Sequence, residues 1–143
     1  MILMQNLFPV VKPTWLLLLE VVLLSSCRKD ALAPANLVGE WQVVSIREFN
    51  ALSPQTVDKP YQLEFKSDGS FSFQRDVNLC YGEYLVPEPG QISMVGISCT
   101  EICCDSKMAV ATTWLFSETT TYSIKKKILT LAGDGEIKLE KVK

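Results

Sequence analysis

Between Tyr61 and Phe73 the chain alternates. Tyr61, Leu63 and Phe65 fall on one side of an extended segment, and Gln62, Glu64 and Lys66 fall on the other. Ser67-Asp68-Gly69 interrupts the pattern, and Phe71 and Phe73 then resume it. A period of two residues means strand, because successive side chains point to opposite faces of the pleat. Asp-Gly supplies the tight turn that returns the chain on itself. The result is a hairpin with one apolar and one polar face. Such a hairpin commits the chain to an antiparallel sheet whose apolar face has to be covered.

The rest of the chain repeats the theme. Glu40–Glu48 is β-branched and aromatic, with Trp41 and Val43 on one face. Leu79–Val86 and Gln91–Ser98 flank Pro87-Glu88-Pro89-Gly90. Thr119–Ile124 puts Tyr122 and Ile124 on one side, and Ile128–Leu131 and Glu136–Val142 flank Gly133-Asp134-Gly135. Ala51–Pro60, with two prolines, reads as a loop. The exception is Asp105–Glu118. Asp105 or Ser106 can cap a helix, and Met108, Ala111, Thr112 and Leu115 then share a helical face. Val110, Thr112 and Thr113 oppose this, since β-branched residues lose rotamer freedom in a helix. The expected fold is mainly β: a small antiparallel sheet, closed or nearly closed and barrel-like, with one short mid-chain helix.

Ahead of this pattern stands a different kind of segment. Trp15–Leu24 is an apolar run of ten residues, and Leu24-Ser25-Ser26-Cys27 follows it. Ten residues fall far short of the roughly 20 a spanning helix needs, but suit the apolar core of a signal peptide. The order resembles a bacterial lipoprotein signal with its lipobox, although Glu20 interrupts the run and Lys12 is the only side-chain charge before it. The resemblance implies cleavage before Cys27 and a lipid on its thiol. Residues 1–26 are then signal peptide, 27–37 a flexible tether and 38–143 the β domain. The expected setting is the bacterial cell envelope, with the protein anchored to a membrane on its periplasmic or surface face.

Composition narrows the chemistry. Removing 26 of the 143 residues leaves 117, enough for a single core. The chain has no histidine, which excludes Ser-His-Asp and Cys-His catalysis and H-E-x-x-H metal sites. No glycine-rich phosphate loop is present, and no catalytic residues, cofactor or metal ligands are assigned. With a net charge of -2, no basic patch suits nucleic acid. Lys125-Lys126-Lys127 reads as a solvated turn between two strands.

Four cysteines follow the cleavage point: Cys80, Cys99, Cys103 and Cys104. An even number in an exported domain favours disulfides. A Cys₄ zinc site is the other reading, and the missing pair of C-x₂-C hooks counts against it. Glu88-Pro89-Gly90-Gln91 fits a type II turn. If that turn closes a hairpin, Val86 faces Ser93, Tyr84 faces Val95, Gly82 faces Ile97 and Cys80 faces Cys99. Opposed residues are close enough for a disulfide, so a Cys80–Cys99 bridge is expected. A bulge would shift every pair. Cys103 and Cys104 are left unassigned; a thiol redox role for them is weaker than a structural one, because redox sites usually use C-x-x-C.

The pattern resembles the META domain of HslJ-type lipoproteins. Leu37-Val38-Gly39-Glu40-Trp41 is similar to that family's opening strand. Leu63-Glu64-Phe65 with Asp68-Gly69, then Cys80-Tyr81-Gly82-Glu83-Tyr84, follow in family order. Cys99-Thr100 and Cys103 precede the helix, and Tyr122-Ser123-Ile124 and Ile128-Leu129-Thr130-Leu131 match its closing strands. Leu79 and Tyr81 flank Cys80 where the family carries glycine and asparagine. The resemblance implies a non-catalytic domain acting by contact with an unidentified protein partner or in envelope stress tolerance. A lipocalin-like barrel is the alternative, similar at Leu37–Trp41 and at Asp68-Gly69. It implies a small apolar ligand held among Trp41, Phe65, Phe71, Phe73 and Tyr84. A mid-chain helix favours META; a strand in its place favours the lipocalin-like reading.

Overall fold

Strand-forming residues at every second position, broken by turns, fold as one antiparallel sheet. The structure, a computed structural model, describes residues 33–142. The signal segment and Cys27 lie outside the described residues. The strands are β1 (Gly39–Arg47), β2 (Gln55–Thr56), β3 (Gln62–Phe65), β4 (Ser70–Gln74), β5 (Leu79–Leu85), β6 (Ser93–Cys99), β7 (Thr119–Lys125), β8 (Ile128–Gly133) and β9 (Glu136–Lys141), with one helix, α1 (Lys107–Ser117), between β6 and β7. The sheet runs β6-β5-β4-β3-β1-β9-β8-β7, with β2 beside β1, and curls into a half-barrel. Its two edges approach at one end, where Ile92 N–H donates to Thr120 O (3.1 Å) and Tyr122 N–H to Gly90 O (2.9 Å).

The alternation read from sequence is the alternation observed. Leu63, Phe65, Phe71 and Phe73 are buried, and β3 and β4 pair Leu63 with Phe73 and Phe65 with Phe71. Trp41, Val43, Leu129, Leu131, Ile137 and Leu139 complete the inner face. α1 covers the open side. Its N-cap is Ser106, whose side chain accepts from Ala109 N–H, and it buries Ala109, Thr112, Leu115 and Phe116. The buried stripe is thus rotated from the expected one, with Met108 and Ala111 at its margin. The β-branched residues that argued against helix are accommodated. Thr112 and Thr113 hydroxyls donate back to the carbonyls of Met108 and Ala109, a bond open to threonine in a helix.

Three local expectations are corrected. The fold begins before residue 38: Leu37 N–H donates to Pro34 O (2.8 Å), Leu37 is fully buried, and its carbonyl accepts from Trp41 Nε1 (2.8 Å). The stretch 51–60 is more than a loop, because Gln55 and Thr56 pair with β1 and Val57 is buried. The β5–β6 register also differs. The turn exists as expected, with Gln91 N–H donating to Glu88 O and Gly90 at φ 86°. Yet Tyr84 pairs with Met94 and Leu85 with Ser93, one residue off the expected pairs. A bulge between Tyr81 and Glu83 takes up the offset, so Tyr81 faces Ser98 and Cys80 faces Cys99. Gly96, at φ 65°, lies in this irregular stretch, as a glycine often does at a bulge. Met94 therefore points inward and Val95 outward.

Candidate functional site

Polar side chains converge where the β4–β5 turn meets the start of α1. The turn Arg75-Asp76-Val77-Asn78 is closed by Arg75 N–H donating to Asn78 O (3.1 Å). Asp76 accepts on one oxygen from Lys59 Nζ (2.6 Å) and Tyr61 O–H (3.0 Å), and on the other from Ser106 N–H (2.7 Å). Tyr61 has a single proton, which goes to Asp76. Ser106 O–H is therefore the donor in the 3.0 Å bond between the two hydroxyls. Burial pushes the Asp76 carboxyl up, but the bonds from Lys59, Ser106 and Tyr61 outweigh it and hold the group well below the usual carboxylate range. Burial likewise raises the Tyr61 phenol.

A second set lies beside the first. Arg75 forms an ion pair with Asp105 (2.9 Å), with side chains 11% and 7% exposed, and donates to Thr113 Oγ1 (2.7 Å). Asn78, 3% exposed, donates to Ile102 O and to Asp105, both at 2.7 Å. Its carbonyl oxygen accepts from Thr100 O–H (2.8 Å) and Ile102 N–H (2.7 Å). Residues from five separate stretches thus fasten the helix start to the sheet. Two grooves flank the cluster. One, of about 360 Å³, is lined by Lys59, Pro60, Tyr61, Gln74, Asp76 and Val77 among others. The other, of about 450 Å³, runs along the outer face of α1 between Glu48, Lys107, Val110 and Trp114.

Chemically the cluster is committed. Asp76 is ionised at any ordinary pH and cannot serve as a general acid near neutrality. Both carboxylates are already engaged by cations and hydrogen-bond donors. The arrangement is suited to holding α1 in place.

The residues singled out from sequence lie elsewhere. Phe65, Phe71, Phe73 and Tyr84 come together, but as core. Phe65 meets Tyr84 edge-on at 4.7 Å, and Phe73 meets Phe116 of α1 at 4.7 Å. Trp41, fully buried, sits under Lys141 Nζ at 4.8 Å. Cys80 and Cys99 are joined, with Cα atoms 4.0 Å apart. Cys103 and Cys104 are exposed and paired with each other across a cis peptide bond. The Arg75–Asp76–Asn78–Asp105 cluster escaped the sequence reading. Its signals were a mostly polar stretch, Gln74–Asn78, between two strands, and Asp105, which the sequence offered only as a helix cap.

With this geometry in view, the comparisons place the chain. A family model described as the META domain matches residues 35–143. An NMR structure of a protein from Burkholderia xenovorans is similar with a TM-score of 0.62 at 15% identity, over 79% of this chain and 94% of that one. A crystal structure of a DUF4847 family protein from Bacteroides vulgatus is similar with a TM-score of 0.55 at 12% identity, over 73% and 92%. At such identities these likenesses speak for the fold alone. A search of curated proteins found no match.

Proposed function

The chain belongs to the META domain family, and from that premise we propose that it is a lipoprotein of the bacterial cell envelope. It is held on a membrane by a lipid on Cys27, and its β domain acts by contact with other proteins or in envelope stress tolerance, without catalysis. The observation that carries the role of the domain is the division of its side chains. The buried charges are spent fastening α1, and the aromatic face is filled by its own rings. On the outer face of α1, by contrast, Val110 and Trp114 are 54% and 45% exposed, four residues apart, beside a groove. Apolar side chains left in water on one helix face suit a contact surface. The anchor rests on the run Leu24–Cys27 and the short apolar segment before it.

The test is made in cells fed a fatty-acid analogue. We expect the wild type to be labelled and to sediment with membranes, and Cys27→Ala to carry no label. An unlabelled, soluble wild type would refute the anchor. A photo-crosslinker at position 114 reads the contact face. Crosslinks should form there and not from the same probe at Ser72, on β4; equal yields at both would sink the contact reading.

A further inference from the structure

Lys125-Lys126-Lys127 acquires a position in the fold that the sequence did not reveal. β7 and β8 pair Lys125 with Ile128, so Lys126 and Lys127 form a two-residue loop at the hairpin tip. All three lysines are exposed. Among the described residues none of them forms an ion pair. Lys126 has φ 58°, a conformation that hairpin tips usually fill with glycine or asparagine. A lysine kept there gives up stability that either residue would recover, and such an outlier points towards use.

The loop is tied to the point where the chain enters the domain. Lys141 N–H donates to Lys127 O (2.8 Å). The Lys141 side chain reaches back to the carbonyls of Val38 (3.0 Å) and Asn36 (3.4 Å). The lysine loop and residues 36–38 thus lie at one end of the sheet. The opposite end holds Arg47 at the close of β1, and Glu48, whose groove includes Lys107. From Cys27 to Ala33, with residues 28–32 between them, the chain spans about 20 Å at full extension.

We propose that the Lys125–Lys127 loop rests on the anionic lipid headgroups of the membrane that holds Cys27, so that the domain stands with α1 and its outer face turned away. The proposal rests on the anchor reading for its geometry. A tether this short keeps the entry end within a Debye length or two of the surface, where exposed lysines are attracted. Each lysine near an anionic surface contributes about fivefold in occupancy. The occupant is lipid because the loop is cationic, exposed and polar, and bears no apolar side chain for a protein to bury. Glu40, Asp68, Glu88 and Glu140 lie towards the same end, but among the described residues none is paired with the loop.

The test is a lysine acylation footprint of the mature protein reconstituted in vesicles of phosphatidylcholine alone or with phosphatidylglycerol. We expect Lys125, Lys126 and Lys127 to react about fivefold or more slowly on the anionic vesicles, with Lys59 and Lys107 unchanged. Salt at about 0.5 M should abolish the difference by screening. Equal reactivity of the loop on both vesicles overturns the proposal. So does slowing seen only on native envelope membranes, which would mean that a protein covers the loop. The mass of the mature N-terminus reads the anchor separately. A lipidated chain with an unprotected loop leaves the anchor standing and sinks the proposal. Protection in a chain without lipid on Cys27 supports the loop contact and sinks the anchor.

Discussion

Asp76 shows how one side chain links pH to stability. Its carboxyl is held below the ordinary value of 3.8 because the folded state surrounds the charged form with donors. The unfolded chain therefore takes up a proton that the native state refuses as pH falls below that value. The contribution of Asp76 is complete well above 3.8 and is lost progressively on the acid side, down towards the folded value. We expect urea-derived stability to fall as pH drops from about 5 to 2, and the slope to be shallower in Asp76→Asn. Parallel slopes for the two proteins would show that Asp76 does not carry the linkage. The residue also marks the limit of reading along a chain. Its partners stand at 59, 61 and 106, and only the fold brings them together.

Elements were legible where the signal is local. The β3–β4 hairpin follows from alternation and Asp-Gly, and α1 from its Ser106 cap despite poor propensity. The β5–β6 hairpin was legible in part. Its turn is written in Pro89-Gly90, whereas its register depends on a bulge. Gly82 and Gly96 read as ordinary glycines in sequence. In the fold, a Cβ on Gly82 would come within 2.6 Å of the Phe71 ring, so the strands can close over that ring only at glycine. The bulge restores the facing of Cys80 and Cys99, which are 19 residues apart. A loop of that length, closed in the unfolded chain, contributes about 3 kcal/mol. We expect non-reducing peptide maps to join Cys80 to Cys99, and Cys80→Ala with Cys99→Ala to lower unfolding free energy by about that amount. Cys80 recovered with another partner, or a double variant as stable as the wild type, would contradict this.

At the scale of the whole molecule, a curled sheet that does not fully close leaves its core open, and α1 covers it. Apolar contact alone, through Leu115 and Phe116, does not fix where the helix begins. The Arg75–Asp105 pair does, with Thr113 and Asn78 completing the set. Taking two charges out of water is costly, and their mutual attraction roughly repays it. Loss of one partner strands the other, which typically costs about 3–5 kcal/mol, whereas replacing both by apolar residues is often near neutral. Arg75 Nε and Asp105 Oδ1 already lack hydrogen-bond partners, so the set is incompletely satisfied and sensitive to any further loss. Asp105→Ala should therefore destabilise the domain by about 3 kcal/mol or more. The combination Arg75→Met with Asp105→Leu should recover most of that loss. Denaturant unfolding followed by tryptophan fluorescence, from Trp41 in the core and Trp114 on α1, and by circular dichroism measures both. Additive losses in the double variant would mean that the two side chains act independently, and would refute the mutual compensation of buried charge.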